Sequence, residues 1–293
     1  EQKNKLRNNS FEGGTIEDEK NTDTSRLNKI ALIGRPNVGK STLLNKLVGM
    51  ERVLTGPQEG ITRDSIGVTW NHKGYPVTIF DTAGLRRKSK ITKTIEAASI
   101  ADSLRTVRLA QVVILVLDAG ALLEKQDLTI ARFAIDTGRG LLIAVNKWDK
   151  VTDRTKAFKK LNDKILTSLP QVTGIPTITL SALKDKNIDK VLDLAFKVFH
   201  IWSKRIPTGV LNRWLKKILI AHPPPIASHG RRINIRYVTQ AKSQPPTFIF
   251  FSSTVNKLPD SYFRYLKNSL RADFGIVGVP IRLQAQKSKN PYD

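Results

Sequence analysis

The sequence predicts two domains: an α/β domain with a mostly parallel sheet and helices on both faces, followed by a small α+β domain. Two observations predict this architecture. From Lys29 onward, short apolar runs alternate with amphipathic stretches, as strands alternate with crossover helices in a parallel sheet. Beyond Pro207 the order changes to helix, strand, strand, helix and strand. A chain of 293 residues is also too long for one typical domain and fits two.

Apolar runs predict the six strands of the first domain, at residues 29–33, 67–70, 77–80, 112–117, 141–145 and 177–180. Apolar residues at helical spacing predict a closing helix over 187–202. In the second domain the same patterns predict a helix at 210–219 that three prolines end, strands at 233–237 and 247–251, a helix at 261–272 and a strand at 279–283. We expect the domains at 27–203 and 204–287, a flexible acidic linker at 1–26 and a tail at 288–293.

The chain is strongly basic, with 49 Lys and Arg against 25 Asp and Glu and a net charge of +24. Residues 205–293 hold 15 basic and 3 acidic side chains, half of the excess. Such a charge indicates a polyanionic partner, either nucleic acid or an acidic membrane surface. The absence of cysteine excludes disulfide scaffolds, thiol catalysis and Cys-based zinc sites, and fits the cytoplasm. The longest apolar stretch, 112–117, is too short to cross a bilayer. The sequence also has no amphipathic basic helix or lipidation signal for a membrane surface, so we expect no membrane partner.

A phosphate-binding loop follows the first predicted strand, since residues 34–41 match G-x-x-x-x-G-K-S/T and a helical segment comes next. Backbone N–H groups at a helix N-terminus bind phosphate oxygens. Lys40 brings a positive charge to the β- and γ-phosphates, and the Ser41 hydroxyl coordinates Mg²⁺. The predicted phosphate-binding residues are Gly34, Arg35, Pro36, Asn37, Val38, Gly39, Lys40, Ser41 and Thr42.

A D-x-x-G motif at 81–84 ends the third predicted strand. Strand ends on this edge of an α/β sheet line the ligand crevice, so Asp81 can face the Mg²⁺ held by Ser41. Gly84 lets its N–H approach a γ-phosphate closely. Thr62, in the segment G-I-T-R-D, resembles the switch threonine whose hydroxyl joins Mg²⁺ only when a γ-phosphate is present. We therefore predict Ser41, Thr62 and Asp81 as Mg²⁺ ligands.

An N-K-W-D motif at 146–149 follows the fifth predicted strand and indicates guanine recognition. The Asp149 carboxylate can accept two parallel hydrogen bonds from guanine N1–H and the 2-amino group, which adenine does not offer. The stem of Lys147 can lie over the base. A backbone N–H of the S-A-L segment at 181–183 can bind the guanine carbonyl. The predicted base-binding residues are Asn146, Lys147, Trp148, Asp149, Ser181, Ala182 and Leu183.

In this order the motifs are those of a P-loop GTPase. Many GTPases place a Gln after the D-x-x-G glycine to orient the attacking water, whereas this chain has Leu85. It thus resembles the subclass in which K⁺, bound partly by an Asn of the phosphate loop, supplies charge at the transition state, and Asn37 holds that position. We predict slow hydrolysis that K⁺ stimulates. The candidate catalytic residues are Lys40, Thr62, Asn37 and Gly84, and the further nucleotide contacts are Asp81, Thr82, Ala83 and Leu85.

Three stretches resemble the Der (EngA) family of bacterial GTPases: G-I-T-R-D-S at 60–65, D-T-A-G-L-R-R-K at 81–88, and Y-V-T-Q at 237–240 with P-P-T-F at 245–248. The resemblance, to the second GTPase domain and the C-terminal domain, covers about residues 27–287. It implies an α/β P-loop GTPase domain followed by a KH-like domain, with GTP or GDP and Mg²⁺. It also implies a role in assembly of the large ribosomal subunit, with rRNA and a further, N-terminal GTPase domain as partners.

Two positions depart from the family pattern. Ile61 stands where Thr is common, and Lys186 and Asn187 replace a glycine-containing turn. One alternative is an Era-like GTPase, but the Gly-x-x-Gly at 275–278 falls between a helix and a strand, which indicates a helix C-cap and turn. Another is a non-hydrolysing guanine-nucleotide module, against which the Mg²⁺ switch residues argue.

A basic stripe on the helix at 261–272 suits RNA phosphate contacts, and we predict that Arg264, Lys267 and Arg271 form it. These side chains lie beside the apolar face of the same helix. The surface could instead dock another protein surface, including the N-terminal GTPase domain.

Overall fold

The computed structural model describes residues 29–51, 67–72, 74–81, 95–225, 233–252 and 258–287. The first domain is built on a six-stranded sheet in the order β2-β3-β1-β4-β5-β6. Its strands are β1 (Lys29–Ile33), β2 (Gly67–His72), β3 (Tyr75–Asp81), β4 (Val112–Asp118), β5 (Gly140–Asn146) and β6 (Thr177–Thr179). β2 is antiparallel to β3, and every other neighbouring pair is parallel. The six predicted strands are therefore confirmed.

Helices cover both faces of this sheet: α1 (Lys40–Glu51), α2 (Ile95–Leu109), α3 (Lys125–Asp136), α4 (Arg154–Ser168) and α5 (Asp189–Trp202). Side chains alternate between the faces of a strand, and in β4 both sets are fully buried. Val112, Ile114 and Val116 join a core with α1 and α5, while the intervening residues join a core with α2, α3 and α4. A strand that is apolar on both faces is what a doubly covered parallel sheet requires.

The second domain has the predicted helix–strand–strand–helix–strand order. Its elements are α6 (Thr208–Ala221), β7 (Ile235–Ser243), β8 (Pro246–Ser252), α7 (Asp260–Phe274) and β9 (Arg282–Lys287). β8 is the central strand, antiparallel to β7 and parallel to β9. The predicted α/β domain followed by a small α+β domain is thus confirmed.

The last strand was predicted wrongly at 279–283, because β9 begins three residues later, at Arg282. Val279 and Ile281 are buried, at 0% and 4% exposure, but they lie in an irregular segment. Their apolar character reflects burial in the core rather than pairing in a strand. The predicted C-cap is confirmed, since Gly275 has φ 64° at the end of α7 and Ile276 N–H donates to Arg271 O at 3.2 Å.

The two domains share one hydrophobic core, which continues from α1 and α5 into α6 and α7. Polar contacts reinforce the junction. The Gln240 side chain accepts a hydrogen bond from Ile206 N–H at 2.7 Å and donates to Lys204 O at 2.8 Å. Gly278 N–H donates to Thr173 O at 2.9 Å, just before β6. This contact lies near the amino-terminal end of β6, away from the carboxyl ends of β5 and β6.

In the part of the chain that the structure describes, no helix is both long and apolar enough to cross a membrane.

Candidate nucleotide-binding site

The phosphate-binding loop connects β1 to α1, and α1 begins at Lys40. The Lys40 ammonium folds into the loop and donates to the carbonyls of Gly34 and Arg35 at 2.8 and 2.7 Å. Ser41 and Thr42 are exposed in the first turn of α1, where backbone N–H groups favour an anion. The loop thus offers N–H donors, a cation and an exposed hydroxyl, which is the set that a Mg²⁺-bound polyphosphate requires.

Gly39 lets this loop meet the end of β5. Its φ is 95°, and a Cβ there would overlap the side-chain nitrogen of Asn146. Asn146 is 3% exposed; its Nδ2 donates to Val38 O at 2.8 Å and its Oδ1 accepts from Ala182 N–H at 3.0 Å. One amide therefore fixes the phosphate loop against the segment after β6.

Lys147, directly after β5, connects the phosphate loop to the end of β4. It adopts a left-handed backbone conformation with φ 60°, and its Nζ donates to Asn37 O and to Asp118 Oδ2, both at 2.7 Å. Burial alone would raise the pKa of Asp118, but hydrogen bonds from Lys147 and Gly120 outweigh burial and lower it. An ionised Asp118 therefore holds the Lys147 ammonium at the site.

Asp149 lies in a short 3₁₀ turn, Trp148–Lys150, which starts with a hydrogen bond from Trp148 N–H to Leu180 O at 3.1 Å. A hydrogen bond with Ser181 lowers the pKa of Asp149, and Lys184 Nζ lies 3.9 Å from its Oδ2. The carboxylate is therefore ionised at neutral pH and available as a hydrogen-bond acceptor. Leu183, also predicted at the base, is 76% exposed.

The turn after β6 works without the expected glycine. Asp185 and Asn187 take left-handed conformations with φ 52° and 59°. Asn and Asp tolerate this region better than most residues. Asn187 Nδ2 also donates to Thr179 O at 3.0 Å, which holds the turn against β6.

The Arg35 side chain is turned away from the loop interior and holds the start of α3. Its Nε donates to Asp127 Oδ2 at 3.0 Å, its Nη1 to Glu124 Oε2 at 2.7 Å and its Nη2 to Ala121 O at 2.6 Å. Asp127 is 0% exposed, and burial raises its pKa despite the bonds from Glu124 N–H and Arg35. The side chain predicted to contact nucleotide is thus engaged in an Arg35–Asp127 clamp.

Sequence reasoning missed both Asp118 and Asp127. A carboxylate that closes the apolar run of β4 was a usable signal, since polar residues at the carboxyl ends of parallel strands line ligand sites. The signal for Asp127 was weaker: an acidic pair three residues apart at a helix start, which indicates capping.

Part of the predicted site falls outside the described residues: Thr62, Thr82, Ala83, Gly84 and Leu85. Asp81 is the last residue of β3 and pairs in register with Leu32 of β1, two residues before the phosphate loop. Its backbone therefore lies at the same sheet edge as that loop. Asn37 is exposed, with a left-handed φ of 63°.

The predicted basic stripe on α7 needs a correction. Arg264 is exposed and Lys267 is half-buried, but Arg271 is only 5% exposed. Its Nη2 donates to Gln171 O of the first domain at 2.9 Å and to Val279 O at 3.3 Å. Because the face of α7 that carries Arg271 packs against the loop after α4, Arg271 joins the domains and is not a solvated phosphate contact.

Comparison with known proteins gives matches over both domains. A family model described as 50S ribosome-binding GTPase matches residues 29–147, and one described as the KH-domain-like C-terminal domain of EngA bacterial GTPase enzymes matches residues 205–286. Proteins named GTPase Der from Parvibaculum lavamentivorans and Bartonella henselae are 50% and 48% identical over 90% and 92% of this chain. The chain spans 56% and 57% of their lengths, little more than half.

A solved structure of Era from Aquifex aeolicus bound to GDP.AlF4- covers 88% of this chain and 92% of its own, at 18% identity and a TM-score of 0.44. This structural similarity is too low to assign a family, so the family is assigned from the sequence relatives. They are GTPases of one kind, matched through both the nucleotide-binding motifs and the C-terminal domain. The chain belongs to the GTPase Der (EngA) family, of which it carries a GTPase domain and the C-terminal KH-like domain.

Proposed function

We propose that this chain binds GTP and GDP, hydrolyses GTP, and acts as a nucleotide-controlled switch in assembly of the large ribosomal subunit. One observation supports the nucleotide-binding part of this proposal. The buried Asn146 amide joins the phosphate loop to the segment after β6, which supports a single site for phosphate and base at the carboxyl edge of the sheet. Ligands of open α/β sheets bind at this edge.

Guanine selection is assigned to Asp149. Exchanging the carboxylate for an amide in Asp149→Asn replaces one acceptor by a donor, which suits the 2-carbonyl of xanthine instead of the 2-amino group of guanine. We expect the variant to lose GDP binding by several powers of ten and to gain xanthosine diphosphate binding, measured with fluorescent nucleotides. Asp163→Asn, on the exposed surface of α4, is the matched control and should bind GDP normally. Retained preference for GDP in Asp149→Asn would contradict this role.

Hydrolysis is assigned to the phosphate loop and the segments around Thr62 and Gly84. Mg²⁺, held by Ser41, Thr62 and Asp81, would neutralise the charge of the phosphates. Lys40 would leave the two loop carbonyls that it now contacts and donate to phosphate oxygens.

K⁺ dependence is assigned to Asn37, whose side chain is exposed while its carbonyl accepts from Lys147. We expect turnover to be faster in K⁺ than in Na⁺ at equal ionic strength, and Asn37→Ala to abolish the difference. Equal turnover of the unmodified chain in both salts would refute the K⁺ site and leave GTP binding untouched.

The ribosomal part of the proposal takes residues 27–203 as the GTPase domain and 204–287 as the KH-like domain. It is supported by the description of the family model that matches residues 29–147, and by the 15 basic against 3 acidic side chains after residue 204. Co-sedimentation with large ribosomal subunits in GDP and in a non-hydrolysable GTP analogue tests it. We expect stronger association in one nucleotide state. Equal association in both would exclude the switch.

A further inference from the structure

A cleft of about 720 Å³ opens where the two domains meet, between the loop after α4 and the helix α7. Gln171 of the first domain forms one wall, and Phe263, Arg264, Lys267 and Arg271 of α7 form the other. Its volume lies within the range of sites for small organic ligands and single nucleotides. The cleft is separate from the nucleotide site, which lies at the other end of the sheet.

The side chains that line this cleft carry more positive than negative charge. Arg264, Lys267 and Arg271 share a face of α7, and Asp260 is the single acidic residue among the described residues that line the cleft. Burial, together with the neighbouring Arg271, lowers the pKa of Lys267. The buried Nε of Arg271 has no hydrogen-bond partner in the described part of the chain. An anion entering the cleft would offset this excess positive charge.

The cleft also offers an aromatic surface. Phe263 is partly exposed one turn before Lys267, next to Arg264. Unstacked bases of single-stranded nucleic acid pack on aromatic side chains, while basic residues beside them hold the phosphates. A duplex keeps its bases stacked and cannot present one to Phe263.

We propose that this cleft binds one nucleotide of single-stranded RNA, with the phosphate against Arg264 and Lys267 and the base against Phe263. Arg271 is a positioning residue, since its bond to Gln171 O fixes the spacing of the two walls. This inference rests on the proposed function, in which the ribosomal partner contains RNA. It places the RNA contact in a cleft that is partly formed by the first domain.

The test measures anisotropy of fluorescein-labelled hexauridylate with the whole GDP-bound chain at several KCl concentrations. R264Q/K267Q should weaken binding more than tenfold and reduce the slope of log affinity against log salt by about 0.7, the contribution of one single-strand phosphate contact. Phe263→Leu should weaken binding about tenfold without changing the slope, because stacking is not ionic.

The matched control is K216Q/K217Q, which removes the same charge from exposed positions of α6. It should weaken binding only slightly. The proposal is overturned if both double variants behave alike, if Phe263→Leu binds like the unmodified chain, or if a duplex of equal length binds as tightly as the single strand. GDP affinity should be unchanged in every variant, so failure of the RNA site is distinguishable from failure of the GTPase proposal.

Discussion

Replacing Asn146 by alanine should destabilise the protein even when no nucleotide is present. The substitution removes two hydrogen bonds at a residue that is 3% exposed, and it leaves the Ala182 N–H and the Val38 carbonyl without their partner. A buried polar group that loses its partner costs about 1–3 kcal/mol. Since both groups can recover part of this by relaxation, we expect a loss of about 2–4 kcal/mol.

Urea unfolding of the nucleotide-free chain, followed by tryptophan fluorescence, measures this loss. Asn212→Ala is the control, because Asn212 makes the equivalent pair of bonds with Val238 in the KH-like domain, at 3.1 and 3.0 Å. Because Asn212 is only partly buried, its variant should lose less stability, and only Asn146→Ala should also lose GDP affinity.

An Asn146→Ala variant that unfolds like the unmodified chain and still binds GDP poorly would contradict this prediction. Asn146 would then act on the base alone, and its bonds to the two loops would contribute nothing to the unbound state.

Three further predictions concern other parts of the molecule. Asp127→Asn should change the free energy of unfolding by less than about 1 kcal/mol, because burial already disfavours the charged carboxylate. Asp127→Ala should cost about 2–3 kcal/mol, because it removes the acceptor of the Arg35 hydrogen bond. Equal losses for the two variants in urea titrations would contradict this prediction. Burial raises the pKa of Tyr262 to about 12, so its contribution is complete below pH 10 and falls by about 1–2 kcal/mol as the pH rises toward 12. Tyr262→Phe should remove this fall in unfolding titrations, and an identical pH profile would contradict it. Gly278→Ala should lower the melting temperature, because φ is 77° and the new Cβ would lie 2.7 Å from Pro176 Cδ; an unchanged melting temperature would show that the junction yields.

Much of the fold was predictable, because parallel strands buried on both faces leave apolar runs that end at polar residues. The position of α5 was also predictable, because its buried apolar side chains recur at helical spacing. The prediction for β9 was wrong because Val279 and Ile281 are buried in the core within an irregular segment. Apolar residues buried in this way cannot be told from a short strand by sequence periodicity.

The parts of the candidate site that follow from local motifs were also predictable. Contacts between distant segments were not: Arg35 and Asp127 are 92 residues apart, and neither the loop motif nor the helix start indicates the other. Arg271 looked like its exposed neighbour Arg264 because helical spacing places residues on a face but does not say what covers that face.

The core shared by the two domains also bears on how the protein is made. The apolar side of α5 leaves the ribosome before α6 and α7, which complete the cluster around it. At about 5–20 residues per second, the 84 residues from 204 to 287 take roughly 4–17 s to synthesise. During that interval the nascent GTPase domain presents an uncovered apolar surface that a chaperone can bind. A GTPase domain cut off after residue 203 keeps this surface permanently, and we expect it to aggregate.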